Sequence, residues 1–293
     1  MGKTLLLTGT TGFLGSYLLD AALRKGYQVI ILKRTSSDTW RIKDLLSRVK
    51  VLDLDKVGME SAFQDVKIDI VINTACCYGR AGESSHEVLE VNLMFPLRLL
   101  ELAVKYNVSV FVNTGTLLPR EINDYSLSKL QFVEWLKKYS GNIQCVNFKP
   151  EHMYGLNDDN TKFVYWLLGK MICSEEKIDL TKGDQMRDFI HVTDVVAAYM
   201  MILDNLDSLP QFAEFDVCSG ELVSVKDFVL TLQKLVKEVT GVDIKNRLHF
   251  GAISYRQDEV MEPKLSNAEL KSLGWKPEMT LSNGLRQLVG GFK

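Results

Sequence analysis

The segment Gly9-Thr10-Thr11-Gly12-Phe13-Leu14-Gly15 constrains this chain more than any other. It follows the apolar run at residues 3–8 and precedes the helical stretch at residues 16–23. A buried strand, a glycine turn and an amphipathic helix in that order form the context in which a glycine repeat cradles phosphate. Gly9 allows the tight turn, and Gly12 lets the backbone approach a pyrophosphate. Gly15 lets the helix pack close to the strand, and the helix N-terminus offers unpaired N–H groups and positive potential.

Downstream the chain alternates. Strand-like runs at residues 28–32, 49–52, 68–74, 108–114 and 143–148 are nearly continuous in apolar character. Such strands are covered on both faces, so the alternation predicts a doubly wound parallel α/β sheet, the Rossmann arrangement. Helical runs at 13–25, 59–65, 85–106 and 126–139 lie between them, with Gly26 and Gly141 expected to close the first and last. Pro96 predicts a kink or break in the third of these.

After about residue 150 the pattern loosens. Helices are expected at 160–172 and, capped by Thr193-Asp194, through Asn205. A short strand is expected at 187–191, and further short elements at 213–218, 224–239, 247–252, 266–273 and 281–292. The expected division is a nucleotide-binding domain over residues 1–155 and a smaller substrate lobe over 156–293, with some segments interleaved with the main sheet.

Composition closes off several classes. The 293 residues suffice for roughly two domains' worth of core. The net charge is −2 with basic residues scattered, which gives no footprint for nucleic acid. No apolar stretch reaches membrane-spanning length, and no leader pattern opens the chain. Five cysteines without framework spacing point to reduced thiols in a cytosol; the adjacent Cys76-Cys77 reads as small buried residues at a strand end. His86, His152, His191 and His249 show no metal-ligand spacing.

The second chemical constellation is Tyr125-Ser126-Leu127-Ser128-Lys129. On a helix, residues i and i+4 share a face. An ammonium there is expected to stabilise tyrosinate and draw the Tyr125 hydroxyl towards neutrality, so that it exchanges a proton with a reacting oxygen. Thr116, at the end of the preceding strand, offers a hydroxyl to the same oxygen.

Together these segments resemble the extended short-chain dehydrogenase/reductases, in the branch that modifies nucleotide sugars. Thr8 through Gly15 matches the opening motif, Asn73-Thr74-Ala75 the fourth-strand motif, and Asn92 the helix asparagine that follows. Thr116, Tyr125 and Lys129 match the catalytic residues. The segment from Phe148 to Gly155 resembles the nicotinamide-site segment after the sixth strand, and Arg187-Asp188-Phe189 the Arg-Asp-Phe/Tyr motif. The resemblance implies cofactor contacts from Gly9, Thr11, Gly12, Phe13, Leu14, Gly15, Lys33, Arg34, Asp53, Leu54, Thr74, Ala75, Asn92, Tyr125, Lys129, Lys149 and His152. It implies substrate contacts from Thr116, Arg187 and Arg256, the two arginines meeting a diphosphate. A homodimer is also implied.

Departures sharpen the expectation. The second strand ends in Lys33-Arg34-Thr35-Ser36-Ser37, without the acid that suits a ribose 2′-hydroxyl, so NADP(H) is the expected cofactor. Lys149 stands where the family usually has Arg. Leu117-Leu118 follows Thr116 where the sugar 4,6-dehydratases carry Asp-Glu, and no cysteine stands where the epimerase-reductases have one. Within the branch, the pattern is most similar to the sugar 4-ketoreductases of the CDP-abequose and CDP-paratose synthase type. This implies reduction of a 4-keto nucleotide-diphosphate deoxysugar, best CDP-4-keto-3,6-dideoxyglucose, in the cytoplasm, for surface polysaccharide such as lipopolysaccharide O-antigen. The alternatives are an NAD-dependent nucleotide-sugar 4-epimerase, a reductase of non-nucleotide ketones and a non-catalytic cofactor-binding regulator.

Overall fold

The computed structural model describes residues 2–292. Strands β1 (Thr4–Thr8), β2 (Gln28–Lys33), β3 (Lys50–Asp53), β4 (Ile70–Asn73), β5 (Val110–Thr114) and β6 (Gln144–Pro150) come first. They are followed by β7 (His152–Tyr154), β8 (Ile178–Leu180), β9 (Met186–His191), β10 (Phe212–Val217), β11 (Leu222–Ser224) and β12 (Leu248–Phe250). The α-helices are α1 (Phe13–Arg24), α2 (Ser61–Gln64), α3 (Ser85–Leu89), α4 (Phe95–Lys105) and α5 (Asp124–Tyr139). Then come α6 (Phe163–Cys173), α7 (Val192–Asp204), α8 (Val225–Thr240), α9 (Ala268–Ser272) and α10 (Leu281–Gly291).

The chain divides into two compact units. One holds residues up to Pro150 together with Val196–Asp216, and the other holds Glu151–Val195 together with Val217 onward. The first unit is built on a sheet of order β10-β6-β5-β4-β1-β2-β3. The pairs from β3 through β6 are all parallel, which is the doubly wound arrangement expected of buried apolar strands. Leu6, Val71, Phe111 and Cys145 pack with Leu99, Leu100, Phe132 and Leu136 into one core. The second unit pairs β11-β9-β7 and β12-β8 around a core of Leu167, Phe189, Phe228, Leu232 and Leu285.

Local differences from expectation have local causes. The long helical stretch is interrupted not at Pro96 but by a π-helical turn at Glu90–Met94. Pro96 directly follows that turn, in the first turn of α4, so its missing N–H falls where the backbone bonding changes from π to α. Gly26 closes α1 at φ +81°, as expected. Gly141 does not close α5; the helix ends at Ser140, whose hydroxyl donates to the Lys137 carbonyl. The Thr193-Asp194 cap is corrected too. Strand β9 runs straight into α7 at Val192, Thr193 bonds His191 at 2.7 Å, and Asp194 accepts the Glu278 and Met279 N–H groups.

Candidate functional site

The glycine turn has the shape its residues dictate. Gly9 adopts φ +69°, and a Cβ there would stand 2.6 Å from the Ala75 nitrogen. A Cβ on Gly15 would stand 2.1 Å from the Gly9 oxygen, so only glycine brings α1 this close to the turn. At Gly12 the tightest contact would be 3.2 Å, leaving the backbone approachable. Gly12 is also the N-cap of α1, with no side-chain cap and no acid in the first turn. Phe13 and Leu14 are buried, and Thr10 Oγ1 is buried without a partner among the described residues. An open helix N-terminus beside an orphaned hydroxyl fits a pyrophosphate.

Behind this edge runs a polar ladder that sequence reasoning missed. Thr8 donates to Asn73 Oδ1 at 2.7 Å, Asn73 to Asn113 Oδ1 at 3.0 Å, and Asn113 to Asn147 Oδ1 at 2.8 Å. The four residues are register partners on neighbouring strands. Asn147 Nδ2 ends the ladder unpaired, against Gly115, where a Cβ would meet that amide at 2.8 Å. The signal was an asparagine at one sheet register in three apolar strands. Thr74 donates to the Thr8 carbonyl at 2.7 Å, tying β4 to the turn. Asn92 uses its whole amide on the Cys77 backbone, at 2.8 Å each way, and on Ser128, which makes it a support for the turn after β4.

At the end of β2, Lys33 and Arg34 are not equivalent. Lys33 lies 3.7 Å from the Asp53 carboxylate, which also accepts from Thr35 at 2.8 Å. Arg34 is exposed, with no carboxylate in ion-pair reach among the described residues. Leu54 continues the β2–β3 pairing through the Lys33 carbonyl. A missed residue lies nearby: Arg41 donates to the Thr11 carbonyl at 3.2 Å and stacks on Trp40. The lone glycine-turn motif carried no signal for it, because the contact crosses thirty positions of sequence.

Thr116, Tyr125 and Lys129 do come together, and the structure corrects how they interact. The Thr116 side chain stands beside the Tyr125 hydroxyl, and its own Oγ1 accepts the Leu118 N–H at 3.2 Å. Lys129, only 2% exposed, donates to the Thr114 carbonyl at 2.9 Å and the Ala75 carbonyl at 3.3 Å. Burial raises the Tyr125 hydroxyl above its ordinary value, Cys76 adds to this, and Thr116 and Arg80 oppose it. Burial pushes the Lys129 ammonium down. The expected lowering of Tyr125 by Lys129 is therefore not what the apo geometry gives, because main-chain carbonyls hold the ammonium. Tyr199, fully buried, bonds Thr114 Oγ1 at 2.8 Å and stacks on Phe148. Tyr78 lies tilted against Tyr125 with ring centres 4.9 Å apart.

Lys149, in the same unit, sits between Asp216 at 2.9 Å and Glu214 at 3.3 Å, so its charge is balanced at the sheet edge. In the second unit, Arg187 donates to the Met186 and Val260 carbonyls at 2.6 Å and pairs with Glu259. Its guanidinium is thus not the open fork expected. Arg256 is exposed. Asp188, next to Arg187, accepts the Ser219 and Gly220 N–H groups and fixes that turn. His152 is half-exposed and bonded to Glu151 at 2.8 Å. No helix is long and apolar enough to cross a membrane, and no metal-binding cluster occurs among the described residues.

Residues 5–218 match the NAD dependent epimerase/dehydratase family. Two curated relatives are CDP-abequose synthases. The one from Salmonella typhimurium is 31% identical, covering 97% of this chain and 96% of the relative. The one from Salmonella muenchen is 29% identical, covering 99% and 98%. Among solved structures, a UDP-glucose 4-epimerase from Thermotoga maritima with UDP-glucose shares the fold. Its TM-score is 0.84 at 23% identity, over 99% of this chain and 98% of that one.

Proposed function

We propose that this chain, which belongs to the NAD dependent epimerase/dehydratase family, is an NADPH-dependent reductase of the 4-keto group of a nucleotide-diphosphate deoxysugar. Its place is deoxysugar biosynthesis, as for the synthases it resembles over nearly its full length. The observation that carries the reading is the Thr116 side chain beside the Tyr125 hydroxyl in a site where Leu117-Leu118, not an acid pair, follows Thr116. Such a site can protonate an oxygen but lacks the carboxyls to eliminate water.

The cofactor's pyrophosphate would be held by the turn from Gly9 to Gly15, and its 2′-phosphate by Arg34 with Arg41. When bound, the reduced nicotinamide supplies a hydride for the C4 carbon. Tyr125 gives its phenolic proton to the O4 alkoxide and regains it from solvent. Thr116 donates a hydrogen bond to the same oxygen. Lys129 fixes the Thr114 and Ala75 carbonyls, and so the two strand ends beside the reacting groups. Arg256 and Arg187 are the proposed diphosphate contacts, Arg187 exchanging its Glu259 partner for phosphate oxygens. A homodimer belongs to this reading and is checked by light scattering.

The test is NADPH consumption with CDP-4-keto-3,6-dideoxyglucose generated in situ, with mass and NMR analysis of the product. A gain of two hydrogens and a new C4 carbinol are the expected outcome. Cofactor-neutral interconversion of two sugar nucleotides would replace this reading with a 4-epimerase, the activity of the structural relative with UDP-glucose.

A further inference from the structure

The turn after β4 carries a feature that the reaction above does not use. Tyr78 lies against the ring of Tyr125 at 4.9 Å, tilted by 33°. Arg80 in turn stands over Tyr78, its guanidinium carbon 5.1 Å from the ring centre. A cation over an aromatic face is held there by the ring quadrupole. Arg80 is exposed, and no carboxylate lies in ion-pair reach of it among the described residues. Glu83, the acid on the same loop, is engaged by the Ala81 N–H at 2.8 Å and not by Arg80.

The surroundings of Tyr125 make that cation matter. From its own helix comes Lys129, held by two main-chain carbonyls. From the β4 turn comes the Cys76 thiol, and from α7 the Tyr199 hydroxyl; if charged, both would oppose charge on Tyr125. From the end of β5 comes the Thr116 hydroxyl. When Tyr125 gives up its proton, negative charge appears in a partly buried place where Lys129 is already engaged. The field of Arg80 reaches it past the Tyr78 ring, which screens it less than water would.

We propose that Arg80, seated on Tyr78, is a positioning residue that stabilises the negative charge left on Tyr125 in proton transfer, with Tyr78 as the spacer that seats the cation and covers one side of the phenol ring. The inference rests on Tyr125 acting as the proton donor in the reaction proposed above. It adds a second cation to the site, on a loop rather than on the catalytic helix.

The test reads Tyr125 directly. Tyrosinate absorbance is titrated in the enzyme loaded with oxidised nicotinamide cofactor, and the same titration of Tyr125→Phe is subtracted in each background. Arg80→Gln is expected to move the Tyr125 midpoint up by about half a pH unit or more. Arg80→Lys restores most of it. Tyr78→Leu gives a similar shift, and the double variant shifts no further than the larger single one, because the two residues act as a unit. The rising limb of reverse alcohol oxidation moves to higher pH in the same variants. An unmoved midpoint and limb in Arg80→Gln would overturn the proposal. So would a pure rise in sugar-nucleotide KM that Arg80→Lys does not correct, which would make the guanidinium a substrate contact. The titration needs no sugar, so an effect of Arg80 on Tyr125 is read separately from whether a keto sugar is reduced, and failure of the one is distinguished from failure of the other.

Discussion

The Lys129 ammonium donates to the carbonyl oxygen of Thr114 at 2.9 Å, across fifteen residues of chain. This bond fixes the last residue of β5, and Tyr199 fixes the same residue through its hydroxyl. The end of β5 is therefore held from its main chain and its side chain at once. Tyr125→Phe should leave this support intact. We expect it to keep the melting temperature and cofactor affinity and to lose about 10²-fold or more in turnover, the scale of a general acid. Lys129→Met should lose turnover and also weaken cofactor binding, because two strand ends lose their donor. Calorimetry beside steady-state kinetics separates the two variants.

The glycine turn gives a pair of contrasting outcomes. Gly15→Ala would place a Cβ 2.1 Å from the Gly9 oxygen, so the turn must move. A loss of about 1–3 kcal/mol of stability is expected, as for overpacking in a tight core. Gly12→Ala meets its nearest atom at 3.2 Å and should fold nearly as well, yet obstruct the pyrophosphate. Thermal denaturation and fluorescence titration with NADPH distinguish them. Equal loss of stability in both would contradict the roles given to the two glycines.

At the end of β2, the two cations should differ in effect. Lys33 already faces Asp53 at 3.7 Å, whereas Arg34 has no such partner. Arg34→Ala should weaken NADPH binding about tenfold or more, the scale of a hydrogen bond between charged groups, with little effect on NADH. Lys33→Ala should cost less, and Arg41→Gln should again act on NADPH alone. Calorimetric titration with both cofactors is the measurement, and equal affinity of the native protein for them would sink the NADP preference.

Much of this was legible because it depends on local chemistry. The glycine turn, the parallel apolar strands and the Tyr125–Lys129 spacing each follow from residues near one another in sequence. Three-residue strands such as β7, β8 and β11 were not, since they are too short to show a period and are set by tertiary pairing. The asparagine ladder was equally hidden. Asn73, Asn113 and Asn147 lie about forty residues apart and meet only once register is fixed. The direction of the Lys129 side chain escaped as well, because spacing places two residues on one face but does not say which acceptors compete for them.

The ladder itself is testable. Asn113→Ala removes a donor to Asn147 and an acceptor for Asn73, both fully buried. A loss of about 2–4 kcal/mol is expected from two broken hydrogen bonds with orphaned partners. Chemical denaturation gives the number, and a loss under ~0.5 kcal/mol would mean that water fills the gap.

The last expectation concerns pH. His191 is buried in the second unit, bonded to Thr193 at 2.7 Å and edge-on to Tyr154. Burial lowers its value below the ordinary 6.5, with Asp194 partly opposing. The unfolded chain therefore binds a proton more readily than the folded one. Stability is complete above the unfolded value and falls as pH drops below it, until the folded histidine also protonates. Asp158 and Asp188, raised by burial, act with the opposite sign: their contribution is greatest at acid pH and declines as pH rises through their folded values. The difference between native protein and His191→Asn cancels these carboxylates. Melting temperatures from pH 5 to 7.5 should thus converge towards acid, the native protein losing its advantage as the histidine of the unfolded chain protonates. Parallel curves would show that folding leaves the proton affinity of His191 unchanged.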